Sequence, residues 1–483
     1  MLVVVAFSFQ GTRGIWEPDE GRYTSDGINM HKSGNWLVPT VDGHNPHLTK
    51  PPIVYWALAS SFALFGHNEW AARVPSGLAY IGTGLFVFGL GRRLCPARPW
   101  LPAFVWGLSF APVIAANVVS TDPLLAFFET AAMFAFVEGW SRDARDGRRW
   151  FVAMWVAWGL AFMTKGPPGL LPLLAMVVFQ GVHDRARLRT LFVPLGLVLF
   201  AAVAFTWFLV LIAQTPALFR YFLGYEVYDR VFTNVHHRND EWYGAFMVYL
   251  PVLILGTLPW SVLALVKSGG VRPALAKARQ RLAARDRDWL LLVYWFLIPL
   301  AVFFLARSRL QLYVLPLFVP LALAMARPLS HWPRVQGRTL LLACAVTAGA
   351  FVALKGALAH WPNNRDARET AAALSRLLDP HDIDRIVFVD MRPFYGLNMY
   401  LDRKVEGLHI GEHRFDYSRF VQAEELCQEF AQPRRAVYAM KRQHAARFNA
   451  AVAECGARAE NIGMVEADEN KHEIFLIAMA PSS

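Results

Sequence analysis

Ten apolar runs separated by short loops fill the stretch from Ala71 to Ala359, and a chain with that pattern has few folds open to it. In hydrocarbon every backbone N–H and C=O must find its partner within the segment, so such runs fold as α-helices. They lie near Ala71–Leu90, Trp100–Val118, Leu124–Trp140, Trp150–Met163, Gly169–Val182, Leu191–Ala213, Ala245–Val266, Trp289–Leu305, Leu310–Ala326 and Leu340–Ala359. The chain is 55% hydrophobic and only 18% charged, where a soluble domain is about a quarter charged. It therefore reads as an integral membrane protein. Its net charge of +11 sits largely in the loops Arg92–Arg98, Arg142–Arg149, Arg185–Arg189, Lys267–Arg287 and Arg327–Arg338. Basic residues placed that way orient helices in a bilayer and do not point to nucleic acid.

Ile53–Phe65 decides the sidedness. About a dozen apolar residues suit an interfacial helix better than a crossing one. If that helix lies in the interface, all five basic loops become cytoplasmic. The loops Gln10–Pro52, Ser120–Pro123, Thr164–Pro168, Gln214–Tyr243 and Ala306–Arg309 then share the external face. Met1–Phe9 is too short to span, and reads as the end of a first helix that begins before this sequence. The expected fold is a polytopic α-helical membrane protein of about 11 to 13 transmembrane helices, with the N-terminus inside.

From about Trp361 the pattern turns soluble. Arg385–Asp390, Lys404–Leu408, Arg435–Met440 and His472–Ala478 read as strands, and Ala367–Leu378, Ala423–Phe430 and His444–Cys455 as helices. The expected division is a transmembrane domain over 1–360, with a first external loop at 10–52 and the interfacial helix at 53–65, and a small external α/β domain over 361–483. The four cysteines show no metal spacing. Cys95 and Cys344 lie in or beside apolar runs, where a thiol behaves as a small hydrophobe. Cys427 and Cys455 can pair only if their domain is extracytoplasmic.

The polar run Trp16-Glu17-Pro18-Asp19-Glu20-Gly21-Arg22-Tyr23 sets two carboxylates and a guanidinium beside the membrane. Pro18 stops any helix entering from the apolar side and leaves Asp19 and Glu20 at a helix start, which the helix dipole favours for structural reasons alone. The same external loop adds Lys50, other external loops add Asp122 in Ser120-Thr-Asp-Pro123, Lys165, Arg307 and Arg309, with the Tyr313 phenol nearby, and the long loop adds Glu226, Asp229, Arg230, His236, His237 and Arg238. Each cation alone reads as a helix-end anchor that snorkels to the headgroups. Together, cations that hold a phosphate and a carboxylate that deprotonates an acceptor suit transfer from a lipid phosphate. No nucleotide-binding glycine loop is visible. His31, His44, His47, His236 and His237 with Glu226 show no H-x-x-x-H or H-E-x-x-H pairing. No cofactor is certain, and a divalent metal ion held loosely by carboxylate oxygens stays open.

In order along the chain, Trp-Glu-Pro-Asp-Glu-Gly-Arg-Tyr, Ser-Gly-Asn-Trp-Leu-Val-Pro, Thr-Lys-Pro-Pro-Ile-Val-Tyr-Trp, Ser-Thr-Asp-Pro-Leu-Leu, Thr-Lys-Gly-Pro and Arg-Ser-Arg-Leu-Gln-Leu-Tyr-Val-Leu-Pro lie between residues 16 and 316. This series resembles the lipid A aminoarabinose transferase and protein O-mannosyltransferase families of GT-C glycosyltransferases. The resemblance implies a polyprenyl (undecaprenyl) phosphate sugar donor, used with inversion on the periplasmic face of a bacterial inner membrane, and a lipid, glycan or protein acceptor. It matches Asp19 to the catalytic aspartate, Asp122 to a second acid, Lys50 to a phosphate-contacting lysine and Tyr313 to a motif tyrosine. Glu20 joins the catalytic candidates, and Arg22, Tyr55, Lys165, Arg238, Arg307 and Arg309 join the substrate-binding ones. Thr49 departs from the aminoarabinose enzymes, which carry Glu there, and Gln311-Leu312 replaces their Pro-Thr. Two other classes share some of these features: a flippase of lipid-linked sugars, which would need charges inside its helices and repeated halves, and an O-antigen-ligase-like enzyme.

Overall fold

The computed structural model describes residues 1–229, 239–331, 337–361, 363–378, 383–410, 419–420, 423–431, 435–467 and 470–479. They fall into two compact units. One comprises Met1–Ser8, Thr49–Val54 and Val74–Gly356; the other comprises Phe9–Leu48, Tyr55–Arg73 and Ala357–Ser483.

In the first unit, apolar composition becomes helix. Among the described residues, Glu69–Leu94, Pro194–Gln214, Arg287–Leu305, Gln311–Ser330 and Gly337–Ala359 are long and apolar enough to cross a membrane. The pair Gly244–Gly256 and Trp260–Ser268, bent by 75°, replaces the straight span expected over Ala245–Val266 and adds a sixth crossing if read as one. Two further helices, Asp122–Trp140 and Ala144–Lys165, pack against each other and carry more charge at their ends.

The span expected over Trp100–Val118 is corrected. Leu101–Gly107 and Phe110–Ala115 form two short helices with a break at Leu108-Ser109. Composition gave no sign of the break, because its cause is tertiary. The Gly107 carbonyl accepts from the Tyr80 hydroxyl, and the Leu108 carbonyl accepts from Trp260 Nε1 at 2.9 Å. Buried donors thus satisfy the backbone that the break exposes, as an apolar environment requires. Charge inside a helix is handled in the same way. Lys355 Nζ donates to the Val5 and Ala6 carbonyls at 2.5 and 3.1 Å, taking acceptors that the short helix Leu2–Phe7 cannot satisfy itself.

The second unit is built on a six-stranded sheet of β1 (Arg385–Val389), β2 (Lys404–His409), β3 (Arg419–Phe420), β4 (Ala436–Lys441), β5 (Ala457–Ala467) and β6 (Asn470–Met479). Its order is β3-β2-β1-β4-β6-β5. β1 to β4 run parallel, and β6 is antiparallel to both β4 and β5. Every residue of β1 is buried, which explains its unbroken Ile-Val-Phe-Val run: a central parallel strand is covered on both faces. The four strands expected from sequence are present within about two residues at each end, and β3 and β5 are additional.

Phe9–Leu48 belongs to this unit. Trp16 pairs with Asp366 as an isolated antiparallel bridge, with Glu17 N–H donating to the Arg365 carbonyl at 3.0 Å and Ala367 N–H to that of Ile15 at 2.9 Å. The helix Asp19–Ser33 follows, closed by Gly34 in the left-handed conformation (φ 67°). Asn398 Nδ2 reaches Ser25 Oγ at 2.9 Å and Asn29 Oδ1 at 3.0 Å on this helix. Gly27 lets the helix Ile53–Phe65 come close, since a Cβ at Gly27 would lie 2.6 Å from that of Leu58.

Candidate active site

Asp19 and Glu20 open the Asp19–Ser33 helix, and adjacent helical residues point about 100° apart. The consequence is a division of labour. The Asp19 side chain is 62% exposed, with Arg22 Nη2 at 2.9 Å. That of Glu20 is 4% exposed and enclosed by cations. Arg13 donates to it at 2.6 and 2.9 Å, Arg73 at 3.0 and 3.3 Å, and the Trp16 N–H at 3.0 Å. Burial alone would raise the Glu20 pKa, yet the two guanidinium groups hold it far below the usual carboxylate range. Arg73 is fully buried and also donates to the carbonyls of Gln10, Arg13 and Gly14, so it fixes the whole approach to the helix. Nothing in the sequence marks Arg73, because a lone arginine in an apolar run looks like an anchor.

Glu17 is a second residue whose part the sequence does not mark. It is buried, and its Oε1 accepts the Gly396 N–H at 2.5 Å. Burial drives its pKa well above the ordinary 4.5, and the negative charges of Glu20 and Asp19 push the same way. Further along the helix, Asp26 Oδ2 meets His47 Nδ1 at 2.6 Å, and the Tyr55 hydroxyl lies 3.5 Å from that nitrogen. Burial raises the Asp26 pKa in spite of His47. Tyr55, a substrate-binding candidate by sequence, is fully buried with its ring 6.1 Å from that of Tyr23.

In the first unit the described candidates gather differently. Asp122 stands at the start of one helix and Lys165 at the end of another, where the dipoles favour an acid and a base respectively. The two side chains are paired and nearly buried, at 9% and 7% exposed. Lys165 Nζ also sits 4.0 Å from the centroid of the Tyr313 ring, and Ser120 Oγ lies 3.5 Å from Asp122 Oδ2. Glu129, two turns along the same helix face as Asp122, is buried and has no hydrogen-bond partner for Oε2 among the described residues. Lys50 Nζ donates to the Thr49 carbonyl at 2.9 Å, and Arg307 is exposed. Arg309 is buried and donates to the Asn239 and Glu241 carbonyls at 2.6 and 2.8 Å, so its guanidinium braces backbone. Glu226 accepts from the Tyr221 hydroxyl at 3.1 Å. Arg238, with Arg230, His236 and His237, lies outside the described residues.

The remaining candidate histidines are dispersed. His31 rests edge-on against His67 (5.4 Å between ring centroids), and His44 Nε2 is 3.0 Å from Lys404 Nζ. Among the described residues, no three His, Cys, Asp or Glu side chains come together as a metal-binding group. Cys427 and Cys455 form a disulfide across 28 residues, with Cα atoms 5.1 Å apart.

Residues 49–211 match the dolichyl-phosphate-mannose-protein mannosyltransferase family. Over 359 residues the chain is 31% identical to the undecaprenyl phosphate-alpha-4-amino-4-deoxy-L-arabinose arabinosyl transferase of Edwardsiella ictaluri, a match taking in 72% of this chain and 62% of that protein. The corresponding transferase 1 of Pseudomonas fluorescens is 32% identical over 375 residues, 74% of this chain and 64% of that protein. The chain thus spans somewhat under two thirds of the length of these relatives. The crystal structure of ArnT from Cupriavidus metallidurans bound to undecaprenyl phosphate shares the fold, with a TM-score of 0.76 at 20% identity over 98% of this chain and 96% of that one.

Proposed function

We propose that the chain is a GT-C membrane glycosyltransferase, which transfers a sugar from an undecaprenyl-phosphate donor to a lipid acceptor, with inversion, at the periplasmic face of the inner membrane. The observation that carries this reading is Asp19: a solvent-facing carboxylate at a helix N-terminus, one residue from a buried acid already committed to two arginines. Asp19 takes the proton from the acceptor hydroxyl as its oxygen attacks the anomeric carbon. The bond to the phosphate oxygen breaks on the opposite side, and the lipid phosphate leaves with the electron pair. Arg22 holds Asp19 in place. Lys50 and Lys165 serve the donor phosphate as point charges, with Asp122 aiming Lys165 and Tyr313 covering it. Glu20 belongs to the support of Asp19 and not to the chemistry.

The Cys427–Cys455 disulfide supports an external placement of its unit, because such bonds persist in oxidising compartments. The relatives named as aminoarabinose transferases make that sugar the first donor to test, and lipid A the first acceptor. Purified protein given undecaprenyl-phosphate aminoarabinose and lipid A should yield the modified lipid. No product with this donor or with other undecaprenyl-phosphate sugars would refute the reading.

A further inference from the structure

Glu17 sits in a cavity shaped for its carboxyl group. A Cβ on Gly21 would run into both carboxyl oxygens, and a Cβ on Gly396 would lie 2.7 Å from Oε1. Glycine at both positions is what admits the side chain. Oε1 accepts the Gly396 N–H at 2.5 Å, while Oε2 is buried with no hydrogen-bond partner among the described residues. Backbone bonds on either side, Ala367 N–H to the Ile15 carbonyl and Glu17 N–H to the Arg365 carbonyl, bring the same two segments together. A buried carboxylate without a cation in contact is strongly disfavoured, whereas a buried carboxylic acid is tolerated.

We propose that Glu17 works as an uncharged carboxylic acid that latches the start of the Asp19 helix to the Gly396 turn, making it a positioning residue for Asp19. The inference rests on the functional reading given above. Asp19 follows Glu17 by two residues, so the latch sets where the Asp19 carboxylate stands, and an ångström of misplacement is enough to cost a reaction about a hundredfold. The charged and titratable groups around Glu17 are Asp19, Glu20 and Arg22 on its own side, and Arg365, Asp366 and Tyr400 on the segments packed against it. The two acids oppose a charge on Glu17, and burial adds to their effect. As pH rises through the elevated Glu17 value, the carboxyl ionises and the latch loosens.

Glu17→Gln keeps the shape and neutrality of the acid, whereas Glu17→Ala removes the latch. In purified full-length protein, transfer from undecaprenyl-phosphate aminoarabinose and thermal unfolding are to be followed from acid to alkaline pH. Glu17→Gln should retain kcat within about threefold and hold rate and Tm at alkaline pH where wild type declines. Glu17→Ala should lose about tenfold or more in kcat with KM little changed. Wild type should also show the carbonyl stretch of a protonated carboxylic acid at neutral pH that Glu17→Gln lacks. A Glu17→Gln variant inactive at every pH, or the absence of that band, would overturn the proposal. If wild type transfers no sugar, the functional reading fails, while the band and the dependence of Tm on pH still decide the state of Glu17.

Discussion

The Lys165 ammonium is held between the Asp122 carboxylate and the face of the Tyr313 ring, 4.0 Å from the ring centroid. Three separate elements supply the three groups, and all are remote in sequence. A charge this deeply buried tolerates the loss of its partner poorly. Lys165→Ala leaves Asp122 buried and unpaired and should destabilise by about 3–5 kcal/mol. Tyr313→Leu removes a cation–π contact of about 0.5–2 kcal/mol, which Tyr313→Phe preserves. Unfolding in detergent should therefore rank Tm as wild type and Tyr313→Phe together, then Tyr313→Leu, then Lys165→Ala.

Glu20 gives a prediction with a definite sign. Its pKa is lowered in the folded chain, so the stability it contributes is complete above its ordinary value of 4.5 and drains away as pH falls below that value. Glu20→Gln should flatten this acid limb of the stability curve and lower Tm at neutral pH by leaving Arg73 without its counter-charge. An unchanged acid limb would show that the Arg13–Glu20–Arg73 cluster contributes nothing to stability.

The disulfide closes a loop of 28 residues. Replacing Cys427 and Cys455 by serine should cost about 2–4 kcal/mol, and a reductant should produce the same drop in wild type alone. Cys95 and Cys344 are buried thiols and should not react before unfolding.

Because those two thiols are buried, labelling can be done in their presence. Single cysteines at Asn35 and at Gln443, both exposed, should react with an impermeant thiol reagent in intact spheroplasts. A cysteine at Arg145 should react only after lysis. Labelling of position 35 without position 443 would contradict the periplasmic placement of that unit.

What was legible in the sequence depended on how local its cause was. The helix over Ile53–Phe65 is legible to both ends, because Pro51-Pro52 and Gly66 punctuate it. The strands β1, β2, β4 and β6 announced themselves by branched and aromatic residues, while β5, with Ala457, Ala459 and Gly463, did not. The break at Leu108-Ser109 was invisible because its donors, Tyr80 and Trp260, are distant in sequence. Asp19 and Glu20 looked equivalent side by side, and only the turn of the helix separates an exposed acid from a buried one. Arg309 looked like a phosphate ligand, yet its donors go to the Asn239 and Glu241 carbonyls, which no motif foretells.

Asp19→Asn in the purified full-length protein tests the central claim most directly. The exchange keeps side-chain volume at an exposed position, so Tm should stay at the wild-type value. Transfer from undecaprenyl-phosphate aminoarabinose to lipid A should fall by about a hundredfold or more, the usual worth of a general base, with donor binding preserved. Turnover at the wild-type rate by a folded Asp19→Asn protein would contradict the assignment of Asp19 as the base.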